Sequence, residues 1–177
     1  MTTQDIISQL ESVFGQAIIE KNLDALDPYV VVDSQHLGAV ARYLRDDPTM
    51  RFEILNDITG VDYLEPDTKK AAKAGFEPHI EVVYHLSSFS FPGRRFTVKV
   101  KLPRWKDNVP GRLPEVPSLC RVWATADWQE REVYDLLGVR FLGHPNLCRI
   151  LLAEDWVGHP LRKDYEYPLE YHDIRGR

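Results

Sequence analysis

Two neighbouring stretches decide the fold: His79-Ile80-Glu81-Val82-Val83-Tyr84-His85-Leu86-Ser87 and Arg94-Arg95-Phe96-Thr97-Val98-Lys99-Val100-Lys101-Leu102. In the first, Ile80, Val82, Tyr84 and Leu86 alternate with Glu81, Val83, His85 and Ser87. In the second, Phe96, Val98, Val100 and Leu102 alternate with Arg95, Thr97, Lys99 and Lys101. Successive side chains of a strand point to opposite faces, so this period of two predicts a sheet with one buried face. Phe91-Pro92-Gly93 supplies turn chemistry between the two runs and predicts an antiparallel pair.

Outward from the pair, Asp5 to Ile19 reads as a helix, with Ile6, Leu10, Val13, Phe14, Ala17 and Ile18 at three- and four-residue steps. Tyr29 to Val32 is a β-branched run expected at a sheet edge. Ser34 is placed to cap a helix over His36 to Arg45, which ends before Asp47-Pro48. Arg51 to Tyr63 is apolar but interrupted by Gly60, predicting a strand over Phe52 to Leu55 that runs into an irregular segment. Glu65 to Gly75 is polar and reads as an exposed loop. Pro103 to Pro117 holds four prolines and reads as a linker, with a short helix expected over Pro117 to Trp123. Asp127 then opens a helix with the capping-box spacing to Glu130, and Gly138 closes it.

Beyond Gly138 prolines recur at 145, 160 and 168, with glycines at 143 and 158, and no long element is expected. Leu151, Leu152, Trp156 and Leu161 lack the periodicity to bury themselves, so this segment should lie along its own domain or along a partner. The expected architecture is α+β: a small mixed or antiparallel sheet with N-terminal helices packed on one face over residues 1–125, followed over 126–177 by a helix and an extended C-terminal tail.

A length of 177 residues suits one domain, and 44% hydrophobic with 28% charged residues is ordinary globular composition. The net charge of −5 argues against a chain devoted to nucleic acid. No run approaches the roughly 18 apolar residues of a membrane span. Asp5, Gln9, Glu11 and Gln16 break up the N-terminal stretch, which does not read as a signal peptide. The chain is therefore expected to stay in the compartment where it is made and to meet a membrane only through partners. Cys120 and Cys148 have no second Cys or His at ligand spacing, so two buried reduced thiols are expected rather than a disulfide framework or a zinc site.

From 94 to 112, Arg94, Arg95, Lys99, Lys101, Arg104, Lys106 and Arg112 oppose only Asp107. Such a basic strand can serve RNA or anionic lipid, or can be a solvated sheet face neutralised across the strands by Glu81. A nucleic-acid module using Arg95, Lys99 and Lys101 would need aromatic residues on that face, and here Phe96 lies on the other. His79 and His85 share a strand at a separation of roughly 20 Å and cannot ligate one ion. His144 and His159 each sit in Gly-His-Pro, where they could point toward a site or hydrogen-bond backbone in a turn; no metal role is expected for them. Glu130 and Glu132 diverge on their helix, which favours capping and ion pairing over a paired-carboxylate centre. A hydrolase using Glu130 or His144 lacks a nucleophile–base constellation, and there is no nucleophile elbow, phosphate loop, metalloprotease motif or CxxC.

The run Asp127-Trp128-Gln129-Glu130-Arg131-Glu132-Val133-Tyr134-Asp135-Leu136-Leu137-Gly138 resembles the signature of the 30-kDa subunit family of respiratory complex I, the bacterial form of which is the proton-translocating NADH-quinone oxidoreductase. The likeness continues through Phe141, Gly143-His144-Pro145, Arg149-Ile150-Leu151, Asp155-Trp156 and Gly158-His159-Pro160-Leu161-Arg162-Lys163-Asp164-Tyr165. Upstream, Asp57-Ile58-Thr59-Gly60-Val61-Asp62-Tyr63 resembles another family segment. Cys148 and the Trp156-Val157 pair depart from the family pattern. The resemblance implies a non-catalytic subunit of the hydrophilic arm of that enzyme, docked on the 49-kDa-type subunit near the iron–sulfur subunits. It implies no metal and no cofactor in this chain, with FMN, iron–sulfur clusters and quinone bound by partner subunits, no nucleic acid, and a peripheral place on the cytoplasmic side of the cell membrane. Related subunits serve ferredoxin-fed plastoquinone-type dehydrogenases and membrane-bound hydrogenases. The residues expected to make the interface or hold the tail are Glu130, Arg131, Glu132, Tyr134, Asp135, His144, Arg149, Asp155, Trp156, His159, Arg162, Lys163, Asp164 and Tyr165, with Glu130, Arg131, Glu132 and Asp135 forming an ion-pair network.

Overall fold

A computed structural model describes residues 1–71 and 73–175. The two alternating stretches form β4 (His79–Ser87) and β5 (Arg95–Leu102), paired antiparallel with Ile80 opposite Leu102, Val82 opposite Val100, Tyr84 opposite Val98 and Leu86 opposite Phe96. These pairs share the buried face. Glu81, Val83, His85 and Ser87 stand opposite Lys101, Lys99, Thr97 and Arg95 on the other. The full mixed sheet has five strands, in the order β1 (Ile18–Asn22), β2 (Tyr29–Val32), β5, β4, β3 (Ile54–Tyr63).

Helix α1 (Thr3–Phe14) starts close to the chain terminus because Thr2 and Asp5 close a capping box. It lays Ile6, Ile7 and Leu10 on the buried face, each worth about 2 kcal/mol of burial. Helix α2 (Leu37–Asp46) adds Leu37, Val40, Ala41 and Leu44 to the same layer. Ser34 does not cap this helix; Ser34–His36 forms a 3₁₀ turn leading into it. A single helical turn, α3 (Thr68–Ala71), lies in the polar 65–75 segment.

Three departures from the sequence expectation have local causes. The first helix ends at Phe14 rather than Ile19, because Gly15 takes a positive φ of 52° and its N–H returns to the Glu11 carbonyl. The released residues become β1. That strand lies outside β2 and pairs antiparallel with it, while β2 pairs parallel with β5 on its other side, so Tyr29–Val32 is an interior strand and not an edge. Finally, β3 is continuous over ten residues. Gly60 does not break it; a Cβ there would stand 2.5 Å from Leu137 Cδ2, so glycine lets a helix cross close above the strand.

That helix is α4 (Ala126–Leu137), which buries Ala126, Val133 and Leu137 in the common core. Residues before and within it also cover the outer edge of β3. Trp123 Nε1 donates to the Phe52 carbonyl at 3.0 Å, Thr125 Oγ1 to Leu55 at 3.2 Å and Gln129 Nε2 to Asn56 at 3.0 Å. The beginning of this strand edge is thereby occupied rather than left open. The expected helix over Pro117 to Trp123 is a turn, preceded by β6 (Glu115–Pro117), which pairs parallel with β7 (Arg140–Leu142) just after α4. The tail ends in a two-stranded ladder, β8 (Glu170–Tyr171) with β9 (Ile174–Arg175). No helix among the described residues is long and apolar enough to cross a membrane.

The Gly60 crossing gives a paired expectation. Gly60→Ala forces Leu137 aside and should destabilise the chain by about 1–3 kcal/mol in urea unfolding. Gly38→Ala, in helix α2 with nothing within 4 Å of a new Cβ, should stabilise it by up to about 1 kcal/mol.

Candidate functional site

The polar residues of the tail converge on the C-terminal half of α4, and Asp135 is their centre. Its side chain has no exposed surface. Oδ2 accepts three consecutive backbone N–H groups, from Ile150 at 3.0 Å, Leu151 at 2.8 Å and Leu152 at 3.0 Å. Oδ1 accepts Arg149 Nη1 at 2.6 Å. Three successive amides aimed at one oxygen form an anion-binding nest, here filled from within the chain. Burial alone would raise the Asp135 pKa; the Leu152, Leu151 and Ile150 amides and the Arg149 guanidinium outweigh it and hold the carboxyl below its ordinary value. Arg149 then ties the tail to itself, Nη2 donating to the carbonyls of Trp156 and Gly158 at 3.0 Å each.

The last carbonyls of a helix have no partners inside it. In α4 the tail provides them. His159 Nδ1 lies 2.9 Å from the Asp135 carbonyl, Leu161 N–H donates to Leu136 at 2.9 Å, and Arg162 Nε donates to Leu137 at 2.9 Å. Gly138 takes the left-handed conformation that ends the helix, as the sequence predicts, and a Cβ there would collide with the His159 ring. Burial lowers the His159 pKa, with Arg149 and Arg162 adding to the effect, so the ring is neutral at pH 7. Arg162 is 6% exposed and stacks its guanidinium 3.7 Å over the Trp105 ring. Burial, with Arg104 beside it, brings it down to about 10, which leaves it charged at neutral pH.

A second clasp joins the tail to the sheet. Asp62, on the core face at the end of β3, accepts Arg104 Nε and Nη2 at 2.8 and 2.9 Å and the Lys163 N–H at 2.9 Å. Arg104 also grips Asp164 with two bonds of 3.0 and 2.6 Å. Hydrogen bonds from Arg104 keep the Asp164 carboxyl below its usual range. Asp62 belongs to the upstream family-like segment, but Arg104 reads from sequence only as one more base in a basic stretch.

The remaining expected residues take simpler places. Arg131 donates to the Cys148 carbonyl at 3.3 Å and to its Sγ at 3.0 Å, holding the tail from the helix's exposed side. Tyr134 meets His159 edge-on. Trp156 packs on Tyr171, Asp155 accepts Tyr171 Oη and pairs with His172, and Tyr165 donates its hydroxyl to the Val157 carbonyl. Glu132 is exposed.

Glu130 and Cys148 correct the sequence reading. Thr125 precedes α4 without a side-chain cap, and Glu130 closes no capping box. Glu130 is fully buried, and its Oε1 accepts the Leu119 N–H at 2.6 Å while Cys120 Sγ lies 3.5 Å from Oε2. Burial raises its pKa, and burial likewise pushes the Cys120 thiol up to about 11. A buried acid so engaged and a thiol so raised do not make an acid–nucleophile pair. Cys148 is exposed, not buried. The anticipated ion-pair network therefore resolves into Asp135 with Arg149, while Glu130 faces the core and Glu132 the solvent.

The basic strand is largely neutralised. Lys99 pairs with Glu81 at 3.0 Å and Lys101 with Glu20 at 2.6 Å, Lys106 pairs with Glu115 and Arg112 with Asp107, and Arg94 donates to the carbonyls of Thr49 and Met50.

The chain is thus an α+β domain whose helix α4 is fastened to an extended C-terminal strap. A family model described as "Respiratory-chain NADH dehydrogenase, 30 Kd subunit" matches residues 30–171, and the chain belongs to that family. The C subunit of NADH-quinone oxidoreductase from Roseiflexus castenholzii is 41% identical over 159 residues, covering 90% of this chain and 81% of its own length. The protein of the same name from Herpetosiphon aurantiacus is 43% identical over 148 residues, covering 84% and 75%. Among solved structures, the trypsin-resistant fragment of Nqo5 is 29% identical with a TM-score of 0.59, covering 83% of this chain and all of the fragment. A chain of the membrane-bound sulfane sulfur reductase, an archaeal respiratory membrane complex, shares the fold with a TM-score of 0.67 at 24% identity, over 92% of this chain and 85% of that one.

Asp135→Asn removes the charge from the nest and leaves Arg149 without its anion. The expected cost is about 3 kcal/mol, seen first as protease cleavage within 149–170 under conditions where the parent tail resists. In the parent, the folded-state pKa values of Asp135 and Asp164 are depressed, so their contribution is present above the unfolded carboxylate value of about 3.9 and is lost as pH falls through the folded values. Tail protection, followed by hydrogen exchange at the Ile150–Leu152 amides, should hold at pH 7 and decline below about pH 4.

Proposed function

We propose that this chain is a non-catalytic subunit in the hydrophilic arm of a proton-translocating NADH:quinone oxidoreductase, and that its tail docks the 49-kDa-type quinone-site subunit. One observation carries this reading. Arg149 and Arg162 of the tail are turned inward onto α4, whereas a row of its apolar residues faces water: Leu151, Val157, Leu161, Tyr167 and Leu169 are 56–85% exposed. A strap that is fixed in place and apolar on its outside is preorganised for a protein partner, because little of its ordering entropy remains to be lost on binding. Membership of the 30-kDa family and relatives named as subunits of NADH-quinone oxidoreductase support the enzyme and favour NADH over ferredoxin as the ultimate donor.

In this reading the chain carries no flavin, iron–sulfur cluster or quinone of its own; neighbouring iron–sulfur subunits and the quinone-site subunit hold them. It sits peripherally on the cytoplasmic side of the membrane and touches the bilayer only through the complex. The pairing of Lys99 and Lys101 with Glu81 and Glu20 leaves little uncompensated charge for nucleic acid.

The test is purification of the tagged chain from gently solubilised membranes. A large assembly with flavin and iron–sulfur absorption and NADH:quinone activity is the expected result, and a colourless chain eluting alone from fresh membranes would refute the subunit reading. Val157→Glu combined with Leu169→Glu should leave the stability of the isolated chain within about 0.5 kcal/mol of the parent, since both side chains are exposed. The same pair should markedly reduce recovery of the 49-kDa-type subunit and of activity. Lowered stability of the isolated chain with recovery of the 49-kDa-type subunit unchanged would assign these residues to the chain's own stability instead.

A further inference from the structure

Three residues from separate elements converge beside α4. Cys120 lies in the turn after β6, Glu130 on α4, and His144 in the loop after β7; one donor atom from each lies within 4.8 Å of the others. The side chains of His144 and Glu130 have no exposed surface, while Cys120 is part-exposed and opens a route from solvent. A fourth donor stands beside them. Asp127 Oδ1 is a buried oxygen with no hydrogen-bond partner, 3.3 Å from His144 Nε2 but outside hydrogen-bond geometry with it. We propose that Cys120, Glu130, His144 and Asp127 form a structural binding site for a divalent zinc ion.

The donor set and its spacing both fit. Thiolate, imidazole and carboxylate together suit zinc better than the all-oxygen cations. Tetrahedral zinc, with bonds of about 2.3 Å to sulfur and about 2.0–2.1 Å to nitrogen or oxygen, sets its ligand atoms about 3.3–3.6 Å apart. Cys120 Sγ is 3.5 Å from Glu130 Oε2, and His144 Nε2 is 3.3 Å from Asp127 Oδ1. The two pairs thus already have the edge lengths of such a site; the Cys120, Glu130 and His144 donors lie within 4.8 Å of one another, and the Asp127 carboxylate must move toward Cys120 and Glu130 as the ion enters. Glu130 can ligate through Oε2 while Oε1 keeps the Leu119 amide, a second bond that orients the ligand.

Loading has defined proton consequences. The Cys120 thiol gives its proton to solvent. The His144 ring now has Nδ1 against the Asn146 N–H at 3.0 Å and Nε2 against the Asp127 carbonyl at 2.9 Å. Ligation through Nε2 moves the ring proton to Nδ1, so the ring gives up both the Asp127 carbonyl and the Asn146 amide, and the 143–146 turn rearranges as the ion enters. The ion would pin β6, α4 and β7 together and carry no electrons, which is compatible with redox chemistry elsewhere in the assembly.

The experiment uses the purified full chain, dialysed against chelator and titrated with cobalt(II) as a spectroscopic substitute. The expected result is intense tetrahedral d–d absorption with a thiolate-to-cobalt charge-transfer band, displaced by stoichiometric zinc, and a chemical-shift change at the Asn146 amide. Cys120→Ser should abolish the charge-transfer band and weaken zinc binding about 100-fold or more, while Cys148→Ser keeps both. Asp127→Asn should weaken zinc about tenfold. The metal-free melting temperature of Cys120→Ser shows whether it still folds; if it does not, Asp127→Asn decides. Absence of the charge-transfer band in the parent, its persistence in Cys120→Ser, or unchanged zinc affinity in the deciding variant would overturn the site.

Discussion

The fold of the C-terminal third depends on one carboxylate. Asp135 accepts the amides of Ile150, Leu151 and Leu152 and the guanidinium of Arg149, and the residues that follow can then reach the open end of α4. An extended segment rich in proline and glycine has no ladder of its own to satisfy its amides. A single buried anion takes over that task for three consecutive residues, which no neutral side chain could do at the same position. The arrangement is demanding in return. A carboxylate with no exposed surface is tolerated only while all four donors are present, so Asp135 and the 149–152 segment must be ordered together or not at all.

The sheet was largely legible in the sequence and the clasp was not. Period-two alternation in β4 and β5 is a local property, and their pairing followed from the turn between them. β1 was hidden because Ala17 and Ile18 continue the three- and four-residue steps of the preceding helix, and only Gly15 marks the break. Gly60 looked like a strand breaker because its purpose lies far along the chain, in Leu137. The tail residues were identifiable as a group through family resemblance, yet what each does was beyond sequence reasoning. Glu130 has the spacing of a capping acid and instead faces inward, because α4 begins at Ala126 and the position falls on the buried face. The approach of Cys120, Glu130 and His144 is likewise invisible to spacing rules, since those rules describe ligands within one motif rather than across a turn, a helix and a loop.

Two kinds of electrostatics coexist in the chain and have different consequences. The pairs on the open sheet face, such as Lys101 with Glu20, are part-exposed and separable, and each contributes little. The groups under the tail are buried and shared. Arg104 bridges Asp62 and Asp164, Asp62 also holds the Lys163 amide, and Arg162 bonds the Arg104 carbonyl along with the end of α4. Lifting the tail would strand Asp135, leave Asp62 with Arg104 alone and free the last carbonyls of α4, so the sheet, α4 and the strap are coupled. A partner that grips the exposed leucines and Val157 therefore grips the sheet as well. The inward-turned Arg149 and Arg162 fix the course of the strap, and Leu151, Val157 and Leu161 remain on its outside, so buried charge is what orders an exposed apolar surface here.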